Sequence, residues 1–209
     1  MTRIPRMAYL IRLIRGMRGE PTMTSLIRTA PPAVAPVELS DLEAYLRIDP
    51  DSEDTLLGQL LDAALGPVED FLRRQLITAS WTRTLDAFPA EEFIELERPP
   101  LQSITSFKYV DADGVTQDVD AAIYSADVAS DPGRIVLGYG ESWPGARGQL
   151  DAVTIVYVAG YGDAAADVPE RYKLALKYLV SQYYTHRLEP GRIDEGLRNL
   201  LGRRNFSFA

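Results

Sequence analysis

The sequence predicts an α+β fold: a helical core of long antiparallel helices, an inserted small antiparallel β-domain, and extended terminal arms. Three observations predict it. Apolar residues recur at helical spacing from 40 to 76 and again from 168 to 186. Between those stretches, from Thr78 to about Tyr161, the pattern changes to period two, the spacing of half-buried strands. Residues 1–36 are rich first in Arg and then in Pro, and fit neither pattern. The expected segments are an extension at 1–36, the first core helices at 37–77, the β-domain at 78–162, a long core helix at 163–188 and a tail at 189–209.

The first helix is expected over 40–48. Ser40 followed by Glu43 reads as a capping box, and Leu42, Tyr45 and Leu46 make one apolar stripe. A longer helix is expected over 52–76, capped by Asp51 or Ser52, with Leu57, Leu61, Ala64, Val68 and Leu72 at helical spacing. Pro67 lacks an N–H and crowds the preceding turn, so a kink or restart is expected there. Strands are expected at 80–85, 92–97, 103–110, 115–119, 123–128, 134–137 and 153–158. Asp113-Gly114 marks a hairpin, and the β-branched run Val153–Val158 reads as a central strand. Asp167 and Pro169 open the last long helix, whose apolar face is Tyr172, Ala175, Leu176, Leu179, Val180 and Tyr183. A short helix is expected at 193–201, ahead of a tail ending Arg203-Arg204-Asn205-Phe206-Ser207-Phe208-Ala209.

Composition limits the chemistry. The chain has 209 residues, 46% hydrophobic and 25% charged, enough for one domain or two small ones with a real core. It has no cysteine and a single histidine, His186, which leaves no closed structural zinc site and no thiolate chemistry. The net charge of −8 is unevenly spread. Residues 1–36 hold Arg3, Arg6, Arg12, Arg15, Arg18 and Arg28 against Glu20 alone, and the rest is strongly acidic. An acidic body binds duplex DNA poorly, because that affinity rests on neutralised phosphates. No apolar run approaches the ~18 residues needed to span a bilayer. Met7–Ile14 is apolar with basic flanks, but Arg12 interrupts it and no small-residue cleavage site follows. Met23 opens a second plausible start. Two readings of residues 1–22 therefore stay open: upstream sequence, or an arm that folds onto a neighbouring subunit.

Each candidate site has a plainer reading beside it. The carboxylates at 49–54 could hold calcium, but they lack the glycine and distal glutamate of an EF-hand loop, and helix capping accounts for them. Asp111, Asp113, Asp118 and Asp120 could form an acid–base pair, yet a hairpin turn requires Asp and Gly there anyway. Gly138–Gly145 lacks the Lys-Ser/Thr of a phosphate loop and reads as an aromatic-anchored loop. His186 sits at a helix end, where an imidazolium suits the dipole. Tyr172, Tyr178, Tyr183 and Tyr184 crowd one helix and read as core packing or a contact with the next subunit. Phe206 and Phe208 alternate on the tail and read as a docking segment for a partner.

Several of these stretches together resemble the phage head–tail connector (adaptor) proteins found in tailed phages, prophages and gene transfer agents. The stretch Val37–Asp49 (VELSDLEAYLRID) resembles that family's opening helix, followed by the acidic turn at 51–54, Leu56-Leu57 and Val68-Glu69. Leu76–Trp81 (LITASW), Pro99–Ile104 (PPLQSI) and Tyr109–Gly114 (YVDADG) resemble the family's β-insertion. Tyr157–Gly162 (YVAGYG) followed by Val168-Pro169-Glu170 resembles the return to the long helix. The similarity covers about residues 34–188, so nothing carries over to the arginine-rich start, and the tail after Arg187 is variable in the family.

The resemblance implies a non-enzymatic virion component without cofactor or metal. It implies a ring, usually twelve-fold, that binds beneath the portal, meets a stopper or other tail component below, and passes DNA without sequence specificity. It implies portal docking by a C-terminal segment, here Arg203, Arg204, Asn205, Phe206, Ser207 and Phe208. The implied location is the particle neck, with assembly in the bacterial cytoplasm and no membrane. Two alternatives stand beside it: a stopper or tail-completion protein of the same particle, and a carbohydrate-binding or hydrolytic protein built on the β-region.

Overall fold

A computed structural model describes residues 24–49, 52–186 and 195–201. Its order is β1 (Thr24–Ala30), α1 (Leu39–Leu46), α2 (Asp54–Leu72), β2 (Ala79–Leu85), β3 (Phe93–Glu95), β4 (Leu101–Val110), β5 (Thr116–Asp118), β6 (Tyr124–Asp127), β7 (Arg134–Leu137), β8 (Val153–Ala159), α3 (Glu170–His186) and α4 (Glu195–Leu201). A 3-10 turn, Ala165–Asp167, leads into α3.

The expected helical core of long antiparallel helices is overturned. Eight strands in two antiparallel sheets form the framework, one ordered β1-β2-β8-β4-β5 and the other β3-β7-β6. The helices are short, at 8, 19, 17 and 7 residues. Two local causes shorten the first two. Arg47 (φ 61°) closes α1, and Arg73 (φ 50°) closes α2 before the apolar Leu76-Ile77 pair can extend it. Left-handed backbone at these C-caps ends the helical ladder. Leu76 and Ile77 then bury as the chain turns into the sheet.

A further strand comes from the stretch assigned by sequence to an unpaired arm. Residues 24–30 pair antiparallel with β2, Thr24 opposite Leu85 and Ala30 opposite Ser80, with a register shift between Arg28 and Ala30. The prolines at 31, 32 and 36 keep their extended linker, but the strand ahead of them is paired on one side.

Other local expectations shift for identifiable reasons. Ser40 lies inside α1, whose N-cap is Glu38, so no capping box forms with Glu43. Glu53 is the N-cap of α2. Ser52 instead donates its hydroxyl to the Asp49 carbonyl at 2.7 Å. Pro67 does not end α2. It removes one bond to the Ala63 carbonyl, but Leu61, Ala64, Val68 and Leu72 bury along one stripe on both sides of it and hold the helix together.

Two apolar clusters organise the chain. Leu42, Leu57, Leu61, Val68, Tyr172, Leu176 and Leu197 join α1–α4. Trp81, Leu85, Ile94, Phe107, Ile135, Ile155 and Tyr157 fill the space between the sheets. Each fully buried aliphatic or aromatic side chain stabilises by roughly 1.5–3 kcal/mol over exposure. β8 lies between β2 and β4, the central place expected of Val153–Val158. It alternates cleanly: Val153, Ile155, Tyr157 and Ala159 are buried, while Thr154, Val156 and Val158 are half-buried on the other face.

Candidate functional site

Where the helices meet the sheet, the chain buries charge, and the cause is local sequence. α2 carries Glu69 on the edge of its apolar stripe, one turn before its C-terminus. Beyond the Arg73 cap, Gln75 and Leu76 fold back across that turn. The Glu69 carboxylate accepts from Gln75 Nε2 at 2.7 Å, from the Leu76 N–H at 3.1 Å and from Arg28 Nη1 of β1 at 3.2 Å. Gln75 Oε1 in turn accepts from Trp81 Nε1 at 3.2 Å, and the Gln75 N–H donates to the Pro99 carbonyl at 3.1 Å. One carboxylate thus ties α2, β1, β2 and the β3–β4 corner together.

The surrounding cations are shared. Arg28 and Arg98 lie over the Trp81 ring, 5.8 and 5.2 Å from its centroid. Arg98 also donates to Asp70 at 2.6 Å. Arg74, buried, pairs with Asp131 and donates to the Tyr161 hydroxyl at 2.9 Å. Burial pushes the Glu69 carboxyl above its usual range, against the opposing pull of the Leu76 N–H, Arg28 and Arg98. Burial and a hydrogen bond with Tyr172 push the Tyr161 hydroxyl up to about 12, partly offset by Arg74. This arrangement joins the end of α2 to the sheet by hydrogen bonds and ion pairs. It contains no nucleophile–base pair.

Beside it, the two chain crossings between helix and sheet are clamped. The Thr78 N–H donates to the Gly162 carbonyl at 3.0 Å, and the Tyr161 N–H to the Leu76 carbonyl at 3.0 Å. Gly160, at φ +140°, brings its backbone against Thr78, and Gln102 Nε2 bridges the Gly160 carbonyl and Thr78 Oγ1, each at 2.9 Å.

The tyrosines expected on one helix are not equivalent. Tyr172 and Tyr183 are buried in this chain's own helical cluster, Tyr172 accepting from Arg171 at 2.6 Å. Tyr178 and Tyr184 pack half-buried against the same cluster. A hydrogen bond to Glu53 raises the Tyr184 hydroxyl. The tail residues Arg203, Arg204, Asn205, Phe206, Ser207 and Phe208, the arginine-rich start and the side chain of His186 lie outside the described residues.

Two of the carboxylates weighed as catalytic, Asp111 and Asp120, serve turns. Asp111 accepts the N–H groups of Asp113 and Val115 and the Gln117 amide, which hold its carboxyl below the usual range, the Gln117 bond foremost. Asp120 accepts from the Ala122 N–H. An open groove of about 390 Å³ runs along Ile104–Lys108 beside Asp118, Val119 and Tyr124. Its one carboxylate, Asp118, pairs with Lys108 at 3.5 Å. Among the described residues no group of His, Cys, Asp and Glu is placed to hold a metal, and no helix is long and apolar enough to cross a membrane. The 138–145 loop is anchored by Trp143, which stacks on Phe88 (5.4 Å, 7°) and donates to the Glu91 carbonyl at 2.9 Å.

Sequence reasoning missed Glu69, Gln75, Arg28, Arg74 and Arg98. The one available signal was position: Glu69 falls between Val68 and Leu72 on a stripe that is otherwise apolar.

No family model matches the sequence, and no curated protein matches it. Solved structures do. The fold is similar to a chain of the neck of an empty gene transfer agent particle computed with C6 symmetry, at 25% identity and TM-score 0.69, over 85% of this chain and 93% of that one. It is similar to a chain of the neck of a native gene transfer agent particle computed with C12 symmetry, at 25% identity and TM-score 0.64, over 86% and 92%. A chain from the virion of a native gene transfer agent particle shares the fold at 23% identity and TM-score 0.70, over 84% and 92%. These neck neighbours match the head–tail connector resemblance read from the sequence.

Proposed function

We propose that this chain is a structural, non-enzymatic subunit of the neck of a tailed-phage-like particle such as a gene transfer agent, and that it is the adaptor ring between portal and tail. The observation that carries this reading is the fold shared with a particle-neck chain over 85% of this sequence at 25% identity. The neck assemblies containing those chains were computed with C6 and C12 symmetry, which supports a ring of copies. The junction around Glu69 supports the same reading, because a ring needs subunits whose helices and sheets keep one angle.

Within this proposal the ring is twelve-fold and the Arg203–Phe208 segment docks on the portal. The acidic body passes DNA without gripping it, since its net negative charge opposes that of the phosphates. Function lies in geometry and contacts rather than in a reaction.

Electron microscopy of particles lacking this protein tests the reading. Filled heads without tails, missing the density immediately beneath the portal, are expected. Retention of that density with loss of the next layer down would instead identify a stopper. Normal particles would remove the neck assignment altogether.

A further inference from the structure

We propose that the outer face of the five-stranded sheet is covered by a second copy of this chain, an inference that rests on the neck reading. The face is built by register. Ile27, Thr82, Val156 and Ser106 stand directly across from one another on β1, β2, β8 and β4. The paired rows on either side add only Ala, Ser, Thr and Val, until Lys108 ends one of them. All of these side chains point away from the cluster around Trp81 and Ile155, and none is fully buried by the described residues. Ile27, 59% exposed, stands at the open edge.

What singles out this face is its lack of charge. The chain is 25% charged with a net charge of −8, yet four adjacent strands present one charged side chain outward. Charges appear only at the rim: Lys108, paired with Asp118, and Asp151, which accepts from the Thr84 hydroxyl at 2.6 Å. The cores of protein interfaces are depleted of charge and edged by polar groups. Duplex DNA is a poor occupant, because its affinity comes from free cations, and the one cation here is already paired.

Dimensions favour a contact with another protein surface. Four strands about 4.8 Å apart and seven residues of about 3.3 Å long give roughly 400 Å² of flat face. That is about half of the roughly 800 Å² per partner in a stable interface, so the face supplies the core of a contact whose rim lies on flanking loops. In a cyclic ring each contact is heterologous, so the face meets a different surface of the next copy.

The chain has no cysteine, so one can be placed at will. Thr82→Cys carrying a maleimide–benzophenone probe is incorporated into particles and photolysed, with Glu141→Cys in the exposed 138–145 loop as the reference position. Adducts of twice the chain mass, mapped by mass spectrometry to a second copy, are expected from position 82, together with loss of maleimide labelling there relative to the free chain. A second variant, Val156→Glu, is expected to keep the free chain's circular dichroism and urea midpoint while losing incorporation into rings. Adducts to residues 1–23 of the same chain, adducts to a different particle protein, or unchanged labelling with no adduct would each overturn the proposal. Failure of the unmodified chain to copurify with particles would be a separate result, removing the neck reading and the ring contact with it.

Discussion

Arg28 of β1 and Glu69 of α2 stand 41 residues apart and meet at 3.2 Å. The contact is asymmetric: the Arg28 side chain is 38% exposed and that of Glu69 only 5%. Most of the cost of breaking it therefore falls on Glu69's other partners. Removing the carboxylate with Glu69→Ala strands the Leu76 N–H and the Gln75 amide, each worth about 1–3 kcal/mol as an unsatisfied buried group. Arg28 can rehydrate. Urea denaturation should show Glu69→Ala destabilised by about 2–4 kcal/mol. Glu69→Gln, which keeps an acceptor, should lose less than half as much. Equal losses for the two would mean that charge, not hydrogen bonding, holds the junction.

The same carboxylate should shape the pH dependence. Burial raises the Glu69 carboxyl above its value in an unfolded chain. The folded state then holds that proton more tightly, so the stability linked to this group is complete below the unfolded value and is lost as pH rises through the folded one. Asp111 and Asp127 act the other way: hydrogen bonds lower both, from Gln117 first at Asp111 and from Ser130 first at Asp127. Their contribution is present above the ordinary carboxylate range and is lost on acidification. Between pH 4 and 7, Glu69→Gln should therefore gain stability on the wild type, having lost the opposing group while keeping the two aspartates. Parallel stability–pH curves for the two proteins would contradict this.

Local pattern carried much of this fold and failed where tertiary contacts decide. The alternation around Trp81 and the run Val153–Val158 gave strands because burial on one face imposes period two. β1 escaped because Thr24–Ala30 carries Arg28 and precedes three prolines, and its strand character comes from pairing with β2, which no local window contains. The helix lengths were overread for a related reason. Apolar spacing continues through Leu76, but the chain leaves the helix at Arg73, where left-handed backbone lets Gln75 and Leu76 reach Glu69. The junction was illegible as a unit because Arg28 of β1 and Arg98 of the β3–β4 corner join the 69–81 stretch only in the folded chain. The tyrosines showed the opposite limit: spacing put Tyr172 and Tyr183 on an apolar helix face but left open core packing or a contact with the next subunit, and in the structure both are buried in this chain's own helical cluster.

Gly160 should tolerate no side chain. A Cβ there would lie 2.6 Å from the Thr78 nitrogen and 2.8 Å from the Ile77 carbonyl carbon, both rigid backbone, at a φ of +140°. The backbone conformation alone costs about 1–3 kcal/mol for a non-glycine residue, and the contact forces the two crossings apart. Gly160→Ala should lower stability by at least about 3 kcal/mol in calorimetry. Gly140→Ala is a useful comparison, since it shares a positive φ but meets nothing within 4 Å, so its loss should stay near the conformational cost alone.

Trp143 anchors the loop between β7 and β8 through Phe88 rather than through the loop's own backbone. The rings stack at 5.4 Å, and both pack edge-on against Phe107. Because Trp143 is only partly buried, its truncation should cost less than a core tryptophan, about 2–3 kcal/mol. The sharper readout is local: Trp143→Ala should make residues 138–150 the first site of limited proteolysis while the helical cluster stays protected. Unchanged cleavage there would show that the loop is held by other contacts.

The tail prediction separates folding from assembly. Among the described residues, the helical apolar cluster runs as far as Leu201. In the adaptor reading the tail serves assembly and not folding, so deleting Asn205–Ala209 should leave the unfolding free energy in urea unchanged within about 0.5 kcal/mol. Within the adaptor reading the same deletion removes Phe206 and Phe208, whose period-two spacing suits addition to an open strand edge with alternate side chains seated in pockets. A pull-down on the portal should then fail for the truncated protein. Phe206→Ala and Phe208→Ala singly should each weaken it by about tenfold or more, the loss expected when an anchoring aromatic is truncated. Retained binding by a truncated protein that folds normally would move portal docking off the tail and onto the described body.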